Sequence, residues 1–158
     1  MTPPHLHTFA VCITDDDIDF MGHVNNAVYL RWVQDAVIAH WRRVGPAEAI
    51  ASHLWIALKH EITYRKPAYL GDKLVAHVRL DRVRRESAFF ETLFKRCGEV
   101  IAEVQSRWCC VDASSRSPAR ISRDIEQCFF PEQSLSAPPE INRACPVDGM
   151  SAMLPDDR

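Results

Sequence analysis

One amphipathic helical run, followed by an unbroken series of alternating segments, restricts the fold of this chain more than any other feature. Over residues 25–44 the positions Val28, Tyr29, Trp32, Val33, Ala36, Val37, His40, Trp41 and Val44 recur at helical spacing, and Gly45-Pro46 ends the run. Asn25 or Asn26 is the expected N-cap. About twenty helical residues make a rod roughly 30 Å long, with one apolar face that has to be covered. The segments that follow supply the cover. In 54–65, Leu54, Ile56, Leu58, Ile62 and Tyr64 alternate with Lys59, Glu61, Thr63 and Arg65. In 74–80, Leu74, Ala76, Val78 and Leu80 alternate with His77 and Arg79, and 89–95 and 100–111 keep the period of two around a Cys97-Gly98 turn. A short β-branched segment at 7–14 supplies a first strand. The pattern predicts an α+β fold in which a five-stranded antiparallel sheet wraps around one long central helix.

The chain has 158 residues, enough for one domain with a core that needs neither disulfides nor metal. Its formal net charge of -2 excludes an overall basic field for nucleic acid or an anionic membrane, so any anion binding must come from a local cluster. No apolar run approaches the roughly 20 residues of a membrane span, and the start lacks the apolar segment of a signal peptide. A cytoplasmic protein with no nucleic-acid partner is expected. The six cysteines show no metal-ligand spacing, so no metal site is expected and the thiols read as reduced. Residues 1–130 are expected to form a single domain, ending in a short helix over 120–130 with Ser122 as N-cap. Residues 131–158, proline-rich and without periodicity, read as an extended or mobile tail.

The chemistry concentrates in Asp17-Ile-Asp-Phe-Met-Gly-His-Val-Asn-Asn, just ahead of the long helix. Asp19 stands a few residues before a helix N-terminus, where unsatisfied N–H groups favour an electron-rich atom. A carboxylate beside such donors is half of an acyl-transfer site. Taken alone, Asp19 reads first as a loop carboxylate accepting backbone bonds, and the whole motif turns the reading toward catalysis. Asp17 reads as a brace for the loop, and His23 either satisfies a backbone group or orients a reactant. Asn26 counts for its backbone N–H, and Tyr29 is core or pocket wall. Two basic groups offer anion contacts: Arg82, Arg84 and Arg85 at the third hairpin, and Arg65-Lys66 at the end of a strand. Each reads otherwise as ordinary solvated charge.

Three stretches, DIDFMGHVNNAVYLRW, ITYRKPAYLGDKL and RRES, carry a likeness to a known family. Over roughly residues 8–130 the chain resembles the hotdog-fold acyl-CoA thioesterases, in the 4-hydroxybenzoyl-CoA thioesterase branch. The resemblance implies that Asp19 attacks the thioester carbonyl or activates water, and that the Asn26 N–H holds the carbonyl oxygen. It implies that Arg84, Arg85 and Ser87, with Arg65 and Lys66, meet the phosphates of coenzyme A, which is part of the substrate, so no cofactor is required. Some relatives carry a functional histidine where this chain has Asn26. In a plant branch sharing the fold, an Asn and a His follow the Asp by two and four residues. Here those positions hold Met21 and His23, so only the histidine matches. The resemblance further implies a homo-oligomer, a dimer or dimer of dimers (a homotetramer), with sites between subunits. The alternatives are a non-catalytic acyl-CoA-binding protein and an acyl-carrier-protein thioesterase. A dehydratase of the same fold needs an Asp and His five apart around Asn-Pro, whereas Asp19 and His23 are four apart with no Asn-Pro.

Overall fold

The computed structural model describes residues 6–130. In chain order the elements are β1 (His7–Val11), a 3-10 turn (Asp15–Asp17), α1 (Val28–Val44), α2 (Ala47–Ser52), β2 (His53–Tyr64), β3 (Leu74–Arg84), β4 (Ser87–Arg96), β5 (Glu99–Asp112) and α3 (Arg123–Cys128). The strands form one sheet in the order β1-β3-β4-β5-β2, every neighbouring pair antiparallel. The helix lies on one face of it, as the alternating pattern predicts. Tyr29, Trp32, Val33, Ala36, Val37, His40 and Trp41 of α1 are buried against that face. The sheet answers with Ala76, Val78 and Leu80 on β3, Phe90 and Phe94 on β4, and Ala102, Val104 and Trp108 on β5, all buried. Alternate residues of a strand share one face, so these rows make a continuous apolar floor.

Two local readings change, and one segment is added. The helix begins at Val28, not Asn25: the Asn25 side chain accepts from the Ala27 N–H at 2.9 Å, closing a turn before the helix proper. The segment after Gly45-Pro46, which the sequence pattern leaves unassigned, forms the short helix α2. On β2 the alternation inverts partway. A bulge between Ala57 and Lys59 inserts Leu58, so Trp55 and Ala57 face the helix before it and Ile62 and Tyr64 after it. Ile56 and Leu58, expected inside, are 50% and 51% exposed on this edge strand.

Helix α3 is capped as expected, with the Ser122 side chain accepting from the Ile125 N–H. Just beyond it, Phe129 enters the core against His40, Trp41, Trp55 and Phe90. Cys97, Cys109, Cys110 and Cys128 are free thiols, and burial pushes Cys110 up to about 11. Cys12 is disulfide-bonded, a departure from the reading of all six as reduced. The expected tail, residues 131–158, lies outside the described residues.

Candidate active site

The acidic loop folds back on itself before the helix begins. The Asn25 N–H donates to the Asp17 carbonyl at 2.8 Å, the Asp19 N–H donates to the His23 carbonyl at 3.0 Å, and Ile18 bridges Val24. These contacts set 17–19 antiparallel to 23–25. The tip closes as a turn, with the Gly22 N–H donating to the Asp19 carbonyl at 3.0 Å and Gly22 itself at φ 81. The loop is tied outward through the Val24 N–H, which donates to the Ala68 carbonyl at 2.8 Å. That second loop is stapled in turn: Asp72 accepts from the Tyr69 N–H and from Arg96, and Arg96 also donates to the Pro67 carbonyl. Burial alone would raise the Asp72 carboxyl. The Tyr69 N–H and Arg96 outweigh it and hold the group below the ordinary carboxylate range.

Two carboxylates two residues apart are treated differently by this loop. Asp17 is 1% exposed; one oxygen accepts from the Thr14 N–H and hydroxyl, and the other from Arg31 on α1. Asp19 is half-buried, with Oδ1 accepting from the Met21 N–H at 2.9 Å and Oδ2 without a hydrogen bond among the described residues. Asp17 is therefore the brace, and Asp19 keeps an oxygen free.

The backbone at the helix entry is similarly accounted for. The Val28 N–H donates to the Asn25 carbonyl at 3.0 Å and the Leu30 N–H to the Ala27 carbonyl at 3.3 Å, while Ala27 is held by the Asn25 side chain. Asn26, exposed, leaves its N–H without an acceptor among the described residues, and its carbonyl accepts from the Tyr64 hydroxyl at 2.7 Å. Asn26 makes no side-chain cap. The His23 ring lies edge-on to Tyr69, centroids 6.2 Å apart, and its nitrogens make no hydrogen bond among the described residues. Tyr29 is buried among Trp32, Tyr64 and Phe94, and burial pushes its hydroxyl up to about 12.

The basic residues divide by location. Arg65 pairs with Glu103 at 2.9 Å and Lys66 with Glu99, both at the end of the sheet near Asn26. Arg82 is held by Asp81 and lies over Phe89, 4.0 Å from the ring. Phe89 is thus on the outer face, away from any pocket under the helix. Arg84 and Arg85 are exposed and form no ion pair among the described residues. Arg85 takes φ 57 in the hairpin turn, its carbonyl accepting from the Ile121 N–H, and Ser87 opens β4. This hairpin pairs at Cys109, whereas Tyr64 pairs at Ala102. At about 3.3 Å per strand residue the two ends are roughly 23 Å apart, so one chain does not bring Arg84 and Arg85 to Asp19.

Alternation alone did not single out Arg31 or Tyr64. The available signal was Arg31 one turn into the helix and Tyr64 at an inward position of β2 beside the matched motif. Among the described residues no group of three or more histidine, cysteine or acidic side chains is placed to hold a metal, and no helix is long and apolar enough to cross a membrane.

A five-stranded antiparallel sheet around one helix, with an Asp loop at the helix entry, defines a hotdog fold of the thioesterase kind. The chain belongs to the thioesterase-like superfamily, whose model matches residues 13–143. It is similar to the long-chain acyl-CoA thioesterase FadM of Escherichia coli (strain K12), 22% identical over 114 residues that cover 70% of this chain and 86% of the relative. Among solved structures, a thioesterase complexed with coenzyme A and Zn from Thermus thermophilus is 27% identical. It superposes with a TM-score of 0.68, over 77% of this chain and 90% of that one. A 1,4-dihydroxy-2-naphthoyl-CoA thioesterase from Synechocystis shares the fold at 14% identity and a TM-score of 0.67, over 79% and 96% of the two chains.

Proposed function

We propose that this protein hydrolyses an acyl-CoA thioester to the free acid and coenzyme A, with Asp19 as nucleophile or general base and the Asn26 N–H as oxyanion donor. One observation carries the reading. The loop spends Asp17 on structure and, among the described residues, leaves Asp19 Oδ2 and the Asn26 N–H free, one on an arm of the closed turn and the other just past its partner arm. As nucleophile, an Asp19 oxygen bonds to the thioester carbon and the Asn26 N–H meets the charge that grows on the carbonyl oxygen. The carbon–sulfur bond then breaks, expelling the coenzyme A thiolate, and water cleaves the resulting mixed anhydride. As general base, Asp19 takes a proton from the attacking water and no anhydride forms. His23, flanking the loop, orients the reactants.

The exposed apolar residues Phe20, Met21, Tyr69 and Leu70 rim the site, and Ile56 and Leu58 line the open edge of β2. A second copy of the chain is the natural cover for both, since an uncovered apolar edge strand is an aggregation hazard. In such a homo-oligomer, Arg84 and Arg85 of one subunit reach the coenzyme A phosphates of a site whose Asp19 belongs to another. Sedimentation equilibrium checks the assembly, and a monomer at working concentration would overturn it.

The test of the activity is steady-state hydrolysis of short, medium, long and aromatic acyl-CoAs, wild type beside Asp19→Asn, followed by loss of thioester absorbance. Turnover by wild type, lower by about 10²–10⁴-fold in the variant, is expected. Asn retains an acceptor for the Met21 N–H, so thermal unfolding should hardly move. Equal turnover in the variant would remove Asp19 from the mechanism.

A further inference from the structure

The oxyanion donor assigned above is a single backbone N–H, and its aim depends on the two peptide planes that meet at Asn26. The Asn25–Asn26 plane is held by the Val28 N–H on the Asn25 carbonyl. The Asn26–Ala27 plane is held at its nitrogen by the Asn25 side chain and at its oxygen by Tyr64, 38 residues away in sequence. The first two ties are local, within one exposed turn that is joined to the loop by the Asn25 N–H on the Asp17 carbonyl. Among the described residues, the Tyr64 hydroxyl makes the one hydrogen bond that ties this turn to the sheet. It does so from the last residue of β2, whose backbone pairs with Ala102 of β5.

From this geometry we infer that Tyr64 is a positioning residue for the thioesterase reaction: its hydroxyl, by donating to the Asn26 carbonyl, holds the Asn26 N–H on the line where the thioester oxygen becomes negative. The inference rests on the proposed function, and adds to it a residue that makes no contact with the reacting atoms. The hydroxyl donates and does not accept, so it has to stay protonated; burial pushes its pKa above the ordinary tyrosine value, which keeps it so at neutral pH. The ring has a separate task, meeting Tyr29 edge-on at 5.3 Å. Tyr64→Phe therefore removes the tie to Asn26 and keeps the packing. Because Tyr64 is 41% exposed and Asn26 is exposed, water can serve the abandoned carbonyl. A donor that contributes only while aimed should then cost rate and not binding.

The experiment is kcat and KM of wild type, Tyr64→Phe and Asp19→Asn on the best acyl-CoA substrate, with thermal unfolding of all three. The expected result is a kcat lower by about ten- to a hundredfold in Tyr64→Phe, with KM and unfolding temperature close to wild type. A raised KM with unchanged kcat would make Tyr64 a substrate wall and overturn the inference. A fall in kcat that tracks a fall in unfolding temperature would make it merely structural, and would overturn the inference as well. Unchanged kinetics beside an inactive Asp19→Asn would overturn the inference and leave the proposed function standing. A wild type without turnover on any acyl-CoA would overturn both.

Discussion

Arg31, one turn into the long helix, donates to Asp17, fourteen residues earlier at the root of the acidic loop. The pair is asymmetric, with the Asp17 side chain 1% exposed and the Arg31 side chain 59% exposed. A buried carboxylate held this way couples the loop to the helix it precedes. It also makes the loop sensitive to acid.

For Asp17, burial on its own would raise the carboxyl, but the Thr14 N–H and Arg31 outweigh it and the group ends below its ordinary value of 3.8. A carboxyl depressed in the folded state contributes stability above its unfolded pKa and loses that contribution as pH falls through the folded one. Wild type should therefore lose stability below about pH 4 partly through this group. Asp17→Asn should lower stability at pH 7 by about 1–3 kcal/mol and flatten that acid limb. Urea unfolding at several pH values checks both; an unchanged acid limb would mean that Asp17 is not a brace.

Arg84 and Arg85 are exposed and unpaired among the described residues, whereas Arg65, Lys66 and Arg82 are each occupied by a carboxylate. The double variant Arg84→Ala/Arg85→Ala should raise KM for an acyl-CoA by about tenfold, the scale of about 1.4 kcal/mol, and leave kcat nearly unchanged. A truncated acyl thioester without the nucleotide should show no such difference. Equal effects on both substrates would place the arginines outside phosphate recognition.

Phe129 is 1% exposed and meets four aromatic rings of α1, β2 and β4, so it closes the core at the end remote from Asp19. Phe129→Ala should cost about 3–5 kcal/mol, read as a shift in the urea midpoint. A cost under about 1 kcal/mol would mean that the segment after α3 is an appendage and not part of the core.

Much of the candidate site was legible because its residues are neighbours in sequence. Asp17, Asp19, His23 and Asn26 all lie within one loop, and hydrogen bonds between 17–19 and 23–25 need only a glycine turn to form. Tyr64 was less so. Its inward position follows from the alternation of β2, but its bond to Asn26 joins residues 38 apart and depends on where the strand ends beneath the helix entry. The exposure of Ile56 and Leu58 was hidden for a different reason. A single inserted residue at Leu58 exchanges the two faces of the strand, and nothing in the composition of 54–65 marks the bulge.

The sequence by itself determined the helix, the five strands, the family and the loop that holds the paired carboxylates. Each of these depends on periodicity or on contacts between near neighbours, which are written directly into residue order. Tertiary structure alone decided which carboxylate is bound and which keeps a free oxygen, how β2 changes face, and that Arg84 and Arg85 lie a sheet's length from Asp19. Those depend on strand register and on partners brought from other elements. Both are settled only when the helix and sheet close on each other and buried polar groups must find a bond.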